Sequence, residues 1–168
     1  AFRLASYCGI SGVTKKEETL ADGAATVAAL STAVTAMDDE EVTATGRYLF
    51  ITPTLLQGIN DMDTTKSKKV LEGFEQVIKV PQRRFYTAIK QLSGKTGEEA
   101  GGYTKATGAA NINFAIVQKD ALIQYTKHAA PKIIAPENNP DADAYVFGYR
   151  MVGIAKAYKN MLSGMYFS

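Results

Sequence analysis

The sequence has few of the residues that build most catalytic and metal sites. Among 168 residues it has one cysteine, Cys8, and one histidine, His128. A single cysteine excludes an internal disulfide, and one cysteine with one histidine falls short of the ligand set of a structural zinc site. We therefore interpret Cys8 as a small buried apolar residue and His128 as a surface or hydrogen-bonded structural residue.

Long apolar runs and an excess of one charge are also missing. No run of about 18 apolar residues occurs, so the sequence predicts no transmembrane helix. The net charge is +2, from 19 basic and 17 acidic residues. That balance does not indicate specific nucleic-acid binding, which usually shows as a clustered basic face, although a surface that tolerates packed nucleic acid is compatible with it. The chain starts at Ala1, and we expect further residues to precede it.

The stretch 111–150 organises the rest of the sequence. It opens with a predicted strand at 113–117, in which residues 114–117 form an unbroken apolar run that is typical of a strand covered on both faces. The segments that follow are predicted as a turn or short helix at 119–124, a second short apolar segment at 132–135 that Pro136 ends, and a polar loop at 138–143.

A long strand is predicted to leave that loop. Tyr145, Phe147, Tyr149 and Met151 alternate on one of its faces. The apolar residues then change from odd to even positions near Gly153, which predicts a β-bulge or bend there.

The segments before residue 111 alternate between helix and strand patterns. Apolar residues at three- and four-residue spacings predict a helix that is capped by Thr19 or Asp22 and ends near Met37. Threonine followed by proline at 52–53 predicts the start of another helix. The other predicted segments are a helix end at 2–7, strands at 48–51, 71–80 and 165–167, a mobile loop at 62–69, and a glycine-rich loop at 93–110. Helices and strands in this order indicate an α+β fold with helices against a sheet.

Several short motifs resemble functional sites, and each has a simpler structural interpretation. Residues 93–96, Ser-Gly-Lys-Thr, resemble the end of a phosphate-binding loop, but Ile89 stands where that loop needs a glycine. The acidic run at 38–41 is better explained as a solvated loop than as a cation site, because consecutive residues do not easily converge on one ion. Asp141 and Asp143 are also compatible with cation binding, but a role in capping the loop backbone is the simpler interpretation.

Two adjacent arginines, Arg83 and Arg84, precede two aromatic residues. Stacking on a nucleic-acid base and an ion pair at an interface are both compatible with this arrangement, and we favour the ion pair. The sequence therefore predicts no catalytic residues, no metal site and no cofactor, and we expect a protein that is not an enzyme.

The order of several short motifs resembles the C-terminal part of tailed-phage or prophage major capsid proteins of the HK97-like type. The most specific motifs are Lys-Ile-Ile-Ala-Pro-Glu at 132–137 and Asn-Pro-Asp-Ala-Asp-Ala at 139–144. The others are Arg-Tyr-Leu-Phe-Ile-Thr-Pro at 47–53, Gly-Phe-Glu at 73–75 with Val-Pro at 80–81, Asn-Phe-Ala-Ile-Val at 113–117, Phe-Gly-Tyr-Arg at 147–150 and Ser-Gly-Met-Tyr at 163–166. Together they cover most of the chain after about residue 20.

The resemblance implies an α+β fold of the HK97-like capsid type, with a sheet-centred axial domain, flanking helices and part of the peripheral domain. Residues 1–14 would end the long peripheral helix, 15–140 would be mostly axial domain, and 141–168 would form C-terminal strands that link the two domains. The implied function is a structural subunit of a phage or prophage icosahedral capsid, which self-assembles into the shell around a DNA genome.

The resemblance also implies partners. These are copies of the same chain in pentamers and hexamers, with a scaffold or a maturation protease as further candidates, at most non-specific contact with packaged DNA, and no membrane. We expect the loops 38–46 and 93–110 to contact other copies, and we expect the protein in the virion after assembly in the bacterial cytoplasm. Two alternatives stay open: an encapsulin-like nanocompartment shell, and a small enzyme with an unrecognised site.

Overall fold

The computed structural model describes residues 2–140 and 143–168, without the side chains of Phe2 and Arg3. The chain divides into two compact units. The first, here called the sheet unit, comprises Ala1–Ala121 and Tyr158–Ser168, and the second, the hairpin unit, comprises Leu122–Ala157. The predicted assignment of residues 1–14, 15–140 and 141–168 to capsid domains stays a prediction.

The described part of the chain contains four α-helices and nine strands. The helices are α1 Phe2–Cys8, α2 Gly23–Asp39, α3 Pro53–Asp61 and α4 Thr65–Glu72. The strands are β1 Thr14–Lys15, β2 Arg47–Ile51, β3 Gln76–Lys79, β4 Ile89–Gln91, β5 Tyr103–Lys105, β6 Phe114–Gln118, β7 Leu122–Ile134, β8 Val146–Ala157 and β9 Met165–Phe167. The fold is thus mixed α+β. No described helix has both the length and the apolar character needed to cross a membrane.

A five-stranded mixed sheet forms the centre of the sheet unit, in the order β1-β9-β6-β2-β3. Strand β6 lies in its middle, antiparallel to both β2 and β9, while β2 pairs with β3 in parallel. All five residues of β6 are buried. The prediction of a strand covered on both faces is therefore confirmed, because a middle strand has a hydrogen-bonded neighbour on each edge and a packed layer on each face.

Helix α2 begins where the sequence predicted. The Asp22 carboxylate accepts a hydrogen bond from the Ala25 amide at 2.7 Å, which satisfies one of the free amides at the helix start. Leu30, Ala33 and Met37 on this helix are at most 1% exposed and belong to the same core as residues of β2 and β6. The small residues of α2 also permit close helix packing: a Cβ added at Gly23 would lie only 2.2 Å from the Gly58 carbonyl oxygen of α3.

The predictions for 62–80 were partly wrong. The predicted mobile loop at 62–69 contains most of α4, and the predicted strand at 71–80 is limited to β3. Helix α4 starts with a capping box, in which Thr64 and Ser67 each accept a hydrogen bond from the other's backbone amide at 3.2 Å. The usual capping-box sequence has glutamate or glutamine three residues after the capping threonine. Here that position is Ser67, so the sequence pattern did not indicate a helix start. The lysines at 66, 68 and 69 are good helix formers rather than a sign of a loop.

The hairpin unit consists of β7 and β8, which pair antiparallel along their whole lengths. The predicted separate segment at 132–135 is wrong, because β7 continues without a break to Ile134. Pro131 is tolerated inside this strand, since a strand at a sheet edge has an outer side that needs no amide donor. Of the predicted turn or helix at 119–124, only Lys119–Ala121 is helical, as a 3-10 turn, and the strand begins directly after it.

The predicted irregularity near Gly153 is present, but on the partner strand. Thr126 pairs with Gly153 and His128 pairs with Val152, so the extra residue is Lys127 of β7. A Cβ at position 153 would lie 3.3 Å from the Tyr125 carbonyl oxygen, which explains why a glycine stands opposite the bulge.

Candidate assembly surface

One face of the hairpin unit is apolar and exposed. The register places Ile133 beside Phe147, Pro131 beside Tyr149, and Ala129 beside Met151, and successive pairs lie two residues apart on the same face. These six residues are here called the apolar face. The exposed fractions are 67% for Ile133, 74% for Phe147, 69% for Tyr149 and 61% for Met151. Large exposed apolar patches of this kind usually mark an interaction surface.

The side chains of the apolar face contact one another along the strand. The rings of Tyr145 and Phe147 stack with their centroids 6.2 Å apart and an angle of 23° between the planes. The Tyr149 hydroxyl lies 3.9 Å from the Met151 sulfur. Residues two apart in a strand share a face, so these contacts extend the apolar face toward the connecting turn through Tyr145.

The opposite face of the hairpin carries the cations. Lys132, Arg150 and Lys156 occupy positions on this face, and His128 lies on it next to Val152. All four residues are exposed, and we call this set the basic face. Lys127, in the bulge, is exposed beside them. The same face also carries exposed apolar residues, among them Val146, Val152 and Ile154. The lysine and arginine side chains placed by the register thus lie on this face alone, while apolar side chains occur on both faces.

The turn between the two strands is polar. A 3-10 helix spans Pro136–Asn138, and the Asn139 amide group donates a hydrogen bond to the Ala144 carbonyl oxygen at 2.9 Å. The loop predicted at 138–143 is in this place, and its asparagine bonds the local backbone as expected. Asp141 lies outside the described residues, and the loop-capping role of Asp143 stays a prediction.

The first predicted contact loop, 38–46, is held from inside by a buried arginine. The Arg47 side chain is 2% exposed, and its Nη2 lies 2.6 Å from an oxygen of Asp38. The same guanidinium also donates to the carbonyl oxygens of Val42 and Thr43. Acidic Asp38 therefore does not simply face solvent, because one of its oxygens bonds this cation.

The second predicted contact loop, 93–110, is better ordered than its composition indicated. It includes β5, which pairs with β4, so a two-stranded hairpin closes the segment 92–102. Glu98 anchors that segment: its carboxylate accepts hydrogen bonds from Lys90 Nζ at 2.7 Å and from the Ser93 amide at 2.8 Å. These bonds, above all the one from Lys90, lower the pKa of Glu98 to about 2. Whether either loop contacts other copies stays a prediction.

The structure separates the residues that the sequence offered for chemistry. Cys8 is 3% exposed, as predicted, and burial raises the pKa of its thiol. His128 is exposed on β7, and Arg83 and Arg84 are exposed in a 3-10 turn at Gln82–Arg84. Ser93, Lys95 and Thr96 lie in the exposed loop between β4 and β5. No group of three or more metal-ligating side chains converges among residues 2–140 and 143–168.

A cavity of about 330 Å³ lies in the sheet unit, lined by Cys8, Glu18, Asn113 and Ser168 among others. Its polar groups bond each other. The Asn113 amide donates to the Glu18 carbonyl oxygen at 2.8 Å, the Ser168 hydroxyl donates to the Glu18 carboxylate at 3.1 Å, and Lys16 pairs with Glu18 at 3.0 Å. These bonds tie the β1 end of the sheet to the strands β6 and β9, which is a structural role.

Sequence reasoning identified the alternating aromatic strand but missed its exposure. The missing information was the partner strand of β8. The sequence predicted separate short segments at 119–124 and 132–135 instead of one long strand. The signal was present in β7: residues 122–134 read as one strand once Pro131 is allowed at an edge.

Comparisons with known proteins agree with the fold at a coarse level. No protein-family model matches the chain, and no curated protein matches it. A solved structure described as Mycobacterium phage Che8 is similar, with a TM-score of 0.57 and 9% sequence identity. The similarity covers 99% of this chain and 56% of the phage chain. The chain thus shares its mixed α+β fold with part of a phage protein, and it spans little more than half of that protein's length.

Proposed function

We propose that this protein is a structural subunit of a phage or prophage icosahedral capsid with an HK97-like fold, and that copies of it assemble into a shell around DNA. The exposed apolar face of the hairpin carries the proposal. Two further observations support it, the ordered capsid-like motifs in the sequence and the fold shared with a phage chain over 99% of this chain. The localisation that follows is the virion.

The energetics of the apolar face favour association. Fully burying a large apolar side chain contributes roughly 1.5–3 kcal/mol. Ile133, Phe147, Tyr149 and Met151 are 61–74% exposed, so most of that contribution is still available to a partner surface. A single contact of this size is weak, because association also costs translational and rotational freedom. In a closed shell each subunit makes several such contacts at once, and their combined effect is large.

The test is assembly of the purified chain, observed by sedimentation velocity and negative-stain electron microscopy, alone and with its candidate scaffold. We expect closed particles from the natural chain. Phe147→Lys places a charge in the apolar face and is expected to reduce the particle fraction at least tenfold. Val152→Lys is the matched control, because Val152 lies on the opposite face and is 45% exposed.

Dispersed monomers under every condition tested would contradict the proposal. Particles that form equally well with Phe147→Lys would show that the apolar face is not the contact surface. The contents of the particles separate a capsid from a nanocompartment: a capsid encloses DNA, and a nanocompartment encloses a protein cargo.

A further inference from the structure

The charged residues in the two strands of the hairpin are all basic. Residues 122–134 and 146–157 contain the cations Lys127, Lys132, Arg150 and Lys156 and no aspartate or glutamate. The acids of this unit are confined to the connecting turn. In a chain with 19 basic and 17 acidic residues, such a separation is not a consequence of overall composition.

The register arranges three of these cations, Lys132, Arg150 and Lys156, in a line, and Lys127 lies in the bulge between them. From the pair Lys132–Gly148 to the pair Ile123–Lys156, the basic face advances by four pairs, through Arg150, His128 and Tyr125. Each pair adds about 6.7 Å, so the line is about 27 Å long. Duplex DNA advances 3.4 Å per base pair, so this length matches roughly eight base pairs.

The cations are available for a ligand. Within the described residues, none of Lys127, Lys132, Arg150 and Lys156 forms an ion pair, and all four are exposed. Exposed Tyr125 lies in the same line and can contact a sugar or base. The apolar face, on the other side of the same two strands, stays free for contacts between protein subunits.

We infer that the basic face of the hairpin binds the phosphate backbone of double-stranded DNA without sequence preference. This inference rests on the proposed function, because the shell would enclose a DNA genome. A regular line of unpaired cations fits a regular polyanion, and one neutralised phosphate for each cation accounts for the binding. A two-stranded sheet that lies along the backbone reads no base edges, so the binding carries no sequence information.

The experiment is fluorescence anisotropy of a labelled 30-base-pair duplex of random sequence, titrated with the full chain between 50 and 200 mM salt. Release of counterions by four phosphate contacts predicts a slope of about −3.6 for log K against log salt concentration. The double variant Lys132→Glu with Arg150→Glu is expected to weaken binding at least tenfold at 50 mM salt and to reduce the slope to about half. A second, unrelated duplex should bind within about twofold of the first.

The matched control is Lys66→Glu with Lys69→Glu, which makes the same change in net charge on exposed positions of α4. It is expected to change binding by less than about threefold. Circular dichroism checks that each variant keeps its secondary structure and melting temperature. Equal loss in both double variants would overturn the inference, since binding would then follow net charge alone. Polyglutamate and unlabelled DNA are also compared as competitors at the same concentration of charges. If polyglutamate displaces the labelled duplex as well as the DNA does, the inference is overturned in favour of an acidic protein partner.

The same variants separate this inference from the proposed function. Particles that assemble normally from Lys132→Glu with Arg150→Glu, but bind no duplex, support both. Assembly of the natural chain without any duplex binding overturns the DNA-binding inference alone. Duplex binding that maps to the hairpin in a chain that never assembles supports the basic face and contradicts the shell.

Discussion

Strands β6 and β8 have similar apolar residues but opposite environments. Every residue of β6 is buried, and Phe114 is 0% exposed. In β8, Phe147 is 74% exposed. The difference lies in their neighbours: β6 has a strand on each side and is covered by other layers, whereas β8 pairs only with β7 among the described residues. Apolar content alone therefore does not determine burial, and an apolar strand without a covering layer is available to a partner.

The same contrast holds for two arginines. Arg47 is buried in the sheet unit and bonds a carboxylate and two carbonyl oxygens. Arg150 is exposed on the hairpin without an ion pair among the described residues. A buried cation needs hydrogen-bond partners to offset the cost of its desolvation, while an exposed cation without an ion pair is available to a ligand.

We expect the largest difference in stability between alanine variants of the two phenylalanines, Phe114 and Phe147. Phe114→Ala removes a ring that stacks on Tyr166 with centroids 6.1 Å apart, and we expect it to lower the free energy of unfolding by about 3–5 kcal/mol. Phe147→Ala should change it by less than about 0.5 kcal/mol. Urea unfolding at low protein concentration measures both. A comparable loss for Phe147→Ala would mean that its ring is covered within a single chain.

We expect a smaller difference in stability between methionine variants of the two arginines, Arg47 and Arg150. Arg47→Met keeps the length of the side chain but leaves Asp38 and the carbonyl oxygens of Val42 and Thr43 without their donor, so we expect a loss of about 2–4 kcal/mol. Arg150→Met should have almost no effect on unfolding. Thermal and urea unfolding of both variants provide the comparison. Unchanged stability in Arg47→Met would show that water replaces the guanidinium at the 38–46 loop.

The smallest effect concerns the loop between β4 and β5. Because the pKa of Glu98 is about 2, below its ordinary 4.5, the charged form is favoured in the folded loop. Its contribution is present above pH 4.5 and is lost as the pH falls toward 2. Hydrogen exchange of the Ser93 amide should therefore become faster over this range. Glu98→Gln should abolish that pH dependence, and a Ser93 amide that exchanges at the same corrected rate throughout would contradict the anchor.

Several elements were predictable from local sequence, because their signals are local. Asp22 caps α2, Thr52 directly precedes α3 and Pro53 begins it, and the apolar runs of β2 and β6 are strands. Helix α4 was not predicted, because its capping box uses Ser67 in place of an acidic residue or glutamine. The exposed apolar face was predicted only in part, since the alternation in β8 shows which residues share a face but not whether another layer covers that face.

The sequence by itself determined the alternating pattern of β8, the strand character of β6 and the scarcity of catalytic side chains, because each depends on residue type and spacing along the chain. Only the tertiary structure decided that β7 and β8 pair outside the main sheet, and that Arg47 is buried while Arg150 is not. The physical reason is that burial depends on which distant segments pack together. Pairing across a dozen residues then places Lys132, Arg150 and Lys156 on one face of the hairpin and Phe147, Tyr149 and Met151 on the other.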